Sequence, residues 1–226
     1  MTKYNLPNDV RSDGDSRRKI MVRIVRVLVA IGVGLGVYAL SAVNSNQADA
    51  AQCSQSQSLA KTIDPFLLGD VAGLTPVKEA RNLSGLTFNN GEGQPVTLAD
   101  WSGRTVLLNL WATWCAPCLH EMPALNALQG AFGSDSFELV AVSVDLKSDQ
   151  KPRAFYEKEK IDKLAFYQDA SLSIFNNLKK MKLAIGMPTT VLIGPDSCAV
   201  AVLHGPAEWS GEDAKALIQA ALKPAS

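Results

Sequence analysis

Two near-continuous apolar runs, TVLLNLW (residues 105–111) and FELVAVSVD (137–145), constrain the architecture more than anything else in the chain. Strands with one wet face alternate apolar and polar residues, whereas unbroken apolar runs are expected where a sheet is covered on both faces. Between them, PCLHEMPALNALQGAF sets Leu119, Met122, Leu125, Leu128 and Phe132 at three- and four-residue spacing, the period of an amphipathic helix. Pro123 falls inside that stretch, and a kink is expected there. Strand, helix and strand make one crossover unit.

The same alternation continues to the end of the chain. SDQKPRAFYEKEK reads as a helix, LAFYQD as a short strand, ASLSIFNNLKKM as a helix, and TTVLIG and AVAVLHG as two more strands. SGEDAKALIQAAL closes as a helix with Ser210 as its N-cap. Upstream, LTF and PVTLAD flank the turn-rich NNGEGQ, a hairpin signal. The order implies an α/β fold with a mostly parallel central sheet, flanking helices and an N-terminal β-hairpin. Phe88 and Trp101 are expected in its core.

Charge is balanced overall, with 22 Lys and Arg against 22 Asp and Glu, and no basic stripe suggests a nucleic-acid partner. Locally it is uneven. Residues 1–26 carry seven Lys and Arg against three Asp, and the 22 residues Val27–Ala48 carry no charge at all. An apolar run behind a basic head is expected to span a membrane, with the head in the cytoplasm and the remainder outside. Its length favours a retained anchor over a cleaved signal, although Ala48–Asp49–Ala50 fits a small-x-small cleavage site. The expected organisation is a cytoplasmic segment (1–19), a transmembrane signal-anchor (20–43), a tether with a helical extension (44–83) and a globular domain (84–226). The Gln- and Ser-rich stretch around residues 44–58 reads as flexible.

Cys115 and Cys118 stand where the first apolar run meets the amphipathic helix. Backbone N–H groups and the positive end of the helix dipole stabilise an anion there, and so lower the pKa of a thiol. Cys118 lies one turn deeper on the same face, within reach to resolve a mixed disulfide. A zinc site would need a second ligand pair, and the remaining candidates, Cys53, Cys198, His120 and His204, are scattered singly. A purely structural bridge across two residues would close too short a loop to constrain the unfolded chain much. A dithiol–disulfide cycle is the chemistry that fits, and it needs no cofactor and no metal.

NLWATWCAPCLHEMPAL followed by GMPTTVLI resembles the thioredoxin superfamily, and within it the membrane-anchored bacterial TlpA/ResA/CcmG-like thiol:disulfide oxidoreductases, the TlpA-like branch most closely. The likeness covers roughly residues 84–222. It implies that Cys115 is the exposed nucleophile, Cys118 the buried resolving thiol, and Trp114 a neighbour packed beside the pair. It further implies that Pro188 follows a cis peptide facing the disulfide, where an extended client segment can pair; without the likeness Pro188 reads as a trans proline opening an edge strand. Glu121 matches the acidic position after the pair. It is expected to accept the proton that leaves Cys118, or else to be a first-turn carboxylate favoured by the helix dipole. Asn109 departs from ordinary thioredoxins, which carry a buried Asp six residues before the first cysteine; proton acceptance therefore shifts to Glu121 or water. His120 is an exposed position in the pattern, and His204 reads as a surface residue.

Two cysteines remain, and outside the cytoplasm they pair most simply with each other as a structural Cys53–Cys198 bridge; free thiols or a link to a partner are the alternatives. The expected function is a periplasmic, inner-membrane-anchored, monomeric oxidoreductase that reduces cysteine pairs of client proteins. The resemblance implies electrons from a CcdA/DsbD-type membrane donor and clients in c-type cytochrome or oxidase assembly. A disulfide-forming oxidant or isomerase is the same-chemistry alternative. A copper-binding assembly factor using Cys115, Cys118 and His204 is the alternative from another class.

Overall fold

The computed structural model describes residues 51–223 and, singly, Met21. Apart from Met21, the expected cytoplasmic segment and anchor lie outside the described residues. Among those described, no helix is long and apolar enough to cross a membrane. In chain order, helix α1 (Ser54–Ile63) leads through two 3-10 turns to strand β1 (Thr75–Pro76). The hairpin of β2 (Thr87–Asn89) and β3 (Pro95–Thr97) follows, then β4 (Thr105–Trp111), α2 (Ala116–Phe132) and β5 (Phe137–Ser143). Next come α3 (Gln150–Glu159), β6 (Tyr167–Gln168) and α4 (Ser173–Lys180), and last β7 (Thr189–Ile193), β8 (Ala199–His204) and α5 (Glu212–Ala221).

Among the described residues eight strands join one sheet in the order β1-β8-β7-β4-β5-β6-β2-β3. Strand β4 is central and every one of its residues is buried, as its unbroken apolar run requires. It runs parallel to β5 from Thr105 opposite Phe137 to Trp111 opposite Ser143. Helix α2 turns Cys118, Glu121, Met122, Leu125 and Leu128 inward on one face. The helix continues through Pro123 without a break. Phe88 and Trp101 stack in the core with ring centroids 5.7 Å apart.

The sheet is mixed rather than mostly parallel. Only β4–β5 and β5–β6 are parallel pairs; the other five pairings are antiparallel. Two connections explain this. The segment after α4 delivers the chain to the carboxyl end of β4, where Thr189 lies opposite Leu110, so β7 must run back along it. A tight turn then joins β7 to β8, closed by Gly194 N–H donating to the Cys198 carbonyl at 2.9 Å, and so short a link permits only an antiparallel pair.

The described part of the stretch expected to be a flexible tether, residues 51–58, is folded. Helix α1 begins at Ser54, and Cys53 and Ser56 are both buried. Ser56 N–H donates to Asp196 Oδ2 at 2.9 Å, and its hydroxyl bonds Asp196 Oδ1 and the Cys198 carbonyl. Composition reports the polarity of these side chains but not a partner 140 residues away. Residues before 84 also contribute to the sheet and the core. Strand β1 extends the sheet beside β8, Ile63, Val71, Leu74 and Leu83 enter the core, and residues 51–223 lie within one compact unit. Gly211, not Ser210, caps α5, because the Ser210 hydroxyl is bonded to Glu208.

Candidate active site

Strand β4 ends at Trp111, three residues turn, and Cys115 occupies the N-cap of α2. The turn is clasped from β5's side. Asp145, just past the end of β5, accepts from Thr113 N–H at 2.8 Å and from the Thr113 hydroxyl at 2.5 Å, while the Ser143 hydroxyl donates to it at 3.0 Å. Cys115 and Cys118 form a disulfide, and Cys118 N–H points at Cys115 Sγ at 3.3 Å. Upon reduction that N–H and the helix dipole favour a thiolate on Cys115. Cys115 retains 6% exposure and Cys118 none, so an incoming sulfur meets Cys115 first.

Trp114 is 67% exposed, so it stands out beside the disulfide rather than packing down against the protein. Ile185 and Leu146 are similarly exposed. The Met187–Pro188 peptide is cis, and Pro188 leads directly into β7 at the sheet end that carries Cys115. Its carbonyl accepts from Gly205 N–H at 2.9 Å. His204, opposite Thr189, lies at the same end and is exposed, as is His120.

Below the disulfide lies a buried acid. Glu121 is only 2% exposed and Asn109, on β4, is fully buried. Asn109 Nδ2 donates to Glu121 Oε1 at 2.9 Å and to Thr190 Oγ1 at 3.0 Å. Ala207 N–H and Trp209 Nε1–H both donate to Glu121 Oε2, each at 3.1 Å. Burial pushes the Glu121 carboxyl up from its ordinary 4.5 to about 7, even though Asn109, Ala207 and Trp209 each pull it down. An acid poised there can take or give a proton near neutral pH. Ala207, Trp209 and the Asp145 clasp are absent from the sequence reading. The one signal for Trp209 is a solitary indole in the otherwise polar AEWSGED.

Cys53 and Cys198 form the second disulfide, which joins α1 to the β7–β8 turn. A cavity of about 370 Å³, lined by Leu59, Thr105, Pro195 and Leu222 among others, sits beside the first residue of β4, at the sheet end away from Cys115.

Comparison with known proteins places this geometry. Thioredoxin-like protein YneN of Bacillus subtilis is 38% identical over 81 residues, 35% of this chain and 47% of that protein. Thiol-disulfide oxidoreductase ResA of Bacillus anthracis is 41% identical over 68 residues, 30% of this chain and 38% of that protein. The matched span thus covers less than half the length of these curated relatives. Among solved structures, one from Chlorobium tepidum described as a thiol:disulfide interchange protein DsbE superposes with a TM-score of 0.54 at 25% identity, over 63% of this chain and 96% of that one. The profile of the AhpC/TSA family matches residues 78–201, which hold both redox cysteines, Glu121 and Pro188. With its thioredoxin-like α/β fold and a disulfide capping a helix at the end of the central strand, the chain belongs to the AhpC/TSA family.

Proposed function

We propose that the protein is a thiol–disulfide oxidoreductase that reduces cysteine pairs of other proteins outside the cytoplasm. The observation that carries the reading is the Cys115–Cys118 disulfide at the amino end of α2, with the more accessible sulfur first and a buried acid one turn beyond the second. In the reduced form, Cys115 thiolate attacks a client disulfide and forms a mixed disulfide. Cys118 loses its proton and attacks Cys115 Sγ; the client leaves with two electrons more, and the Cys115–Cys118 disulfide closes. A membrane thiol donor of the CcdA/DsbD type then reduces that disulfide for the next cycle. The uncharged run Val27–Ala48 behind a basic head supports an inner-membrane anchor with this domain in the periplasm. Clients in the assembly of c-type cytochromes or cytochrome oxidase follow from the TlpA/ResA/CcmG-like pattern, and support for them rests on that likeness.

Cys118→Ser removes the resolving thiol, so clients are expected to accumulate as disulfide-linked adducts on Cys115 that vanish when Cys115 is also changed to Ser. Recovering no adduct would sink the client-reduction reading. The direction of transfer is expected to show as a reduction potential on the reducing side, closer to the roughly −270 mV of thioredoxin than to the roughly −120 mV of the oxidant DsbA. A value at the oxidising end would favour disulfide formation instead.

A further inference from the structure

Three donors converge on Glu121, and its two oxygens do not share them equally. Ala207 N–H and Trp209 Nε1–H both go to Oε2, whereas Asn109 Nδ2 alone goes to Oε1. Each carboxylate oxygen offers two lone pairs, so Oε2 is filled and Oε1 keeps one free. An indole N–H and a backbone N–H can only donate, so neither can turn round to accept a proton placed on Oε2. Trp209 is fully buried, which holds the indole in place, and the loop between β8 and α5 thereby reaches across to α2.

We infer that Trp209 is a positioning residue for Glu121: it pins Oε2 and leaves Oε1 as the oxygen that takes up and releases the proton of Cys118. The inference rests on the thiol–disulfide reading above and assigns an atom within it. As Cys118 attacks, its S–H bond breaks and the proton goes to Oε1. The sulfur electron pair forms the bond to Cys115, and the client–Cys115 bond breaks with its electron pair on the client sulfur, which takes a proton from water. The surrounding elements add no competing charge. Asn109 from β4 and Thr190 from β7 are neutral, and no charged side chain bears on Glu121 among the described residues. On α2 the titratable neighbours are Cys115, Cys118 and exposed His120. From the β8–α5 loop comes Glu208, held below the usual carboxylate range by Ser210 and, to a lesser extent, His120.

The test is a ¹³C NMR titration of the Glu121 carboxyl in the oxidised full chain, solubilised in detergent, where neither redox cysteine titrates. Trp209→Phe keeps an aromatic ring and removes the donor, and the midpoint is expected to rise by about one pH unit, the size of one lost charge-assisted hydrogen bond. An unchanged midpoint overturns the inference. Should Trp209→Phe fail to fold, the wild-type indole N–H resonance serves instead: it must shift with the Glu121 midpoint, and a resonance indifferent to pH overturns the inference equally. In stopped-flow resolution of a preformed mixed disulfide, the acid limb of the pH profile is expected to move up with Trp209→Phe and to disappear with Glu121→Gln. Failure of the wild type to exchange thiols at all would overturn the functional reading and leave the NMR titration to judge Trp209 by itself.

Discussion

A carboxyl group buried without a cation beside it is costly to ionise, and among the described residues Glu121 has three hydrogen-bond donors but no cation. With its pKa near 7 in the folded chain and near 4.5 when unfolded, the folded state binds this proton more tightly through the interval between the two values. Stability is therefore highest with the carboxyl protonated and falls as pH rises through that interval, by on the order of 3 kcal/mol. The free energy of urea unfolding of the oxidised protein is expected to decline from pH 5 to pH 8, and Glu121→Gln to remove most of that decline. An equal slope in the variant would locate the pH dependence elsewhere. Glu121 itself was legible in the sequence as the acid after the CxxC. Its donors were not, because Ala207 and Trp209 lie 86 and 88 residues further on and no local pattern links them.

The junction between β4 and α2 depends on an element that does not touch the disulfide. Asp145 holds the Thr113 amide and hydroxyl, and so ties the turn before Cys115 to the end of β5. Because Asp145 is buried, Asp145→Ala leaves the Thr113 N–H without its charged acceptor, at an expected cost of about 2 kcal/mol in urea unfolding. A loss under 0.5 kcal/mol, within the range of ordinary surface changes, would show that the turn holds itself. At this scale the sequence was readable wherever a pattern was long. β4, β5 and α2 followed from apolar runs and helical spacing. β1 has two residues, too few to carry a period, whereas the equally short β6 was legible within LAFYQD. The direction of β7 was hidden for a different reason: it depends on where the segment after α4 releases the chain, which is a property of packing rather than of the strand's own residues.

Across the whole molecule, the Cys53–Cys198 bridge closes a loop with a sequence separation of 145 residues. In the chain-entropy account a loop of that size stabilises the fold by about 5 kcal/mol. The double variant Cys53→Ala/Cys198→Ala is expected to lose stability approaching that value in guanidinium unfolding, while the rate at which reduced Cys115 is alkylated stays unchanged. Slower or faster alkylation would mean that the bridge reaches the redox site. The two features are well separated. Ile193, at the turn that holds Cys198, lies opposite Val106 near the start of β4, whereas Cys115 follows its end. Seven residues of strand at about 3.3 Å each set some 23 Å between them. A pull on Cys53 thus meets, beside the backbone of α1, a covalent link straight into the β7–β8 turn. The tie therefore enters the sheet at the end opposite the Cys115–Cys118 pair.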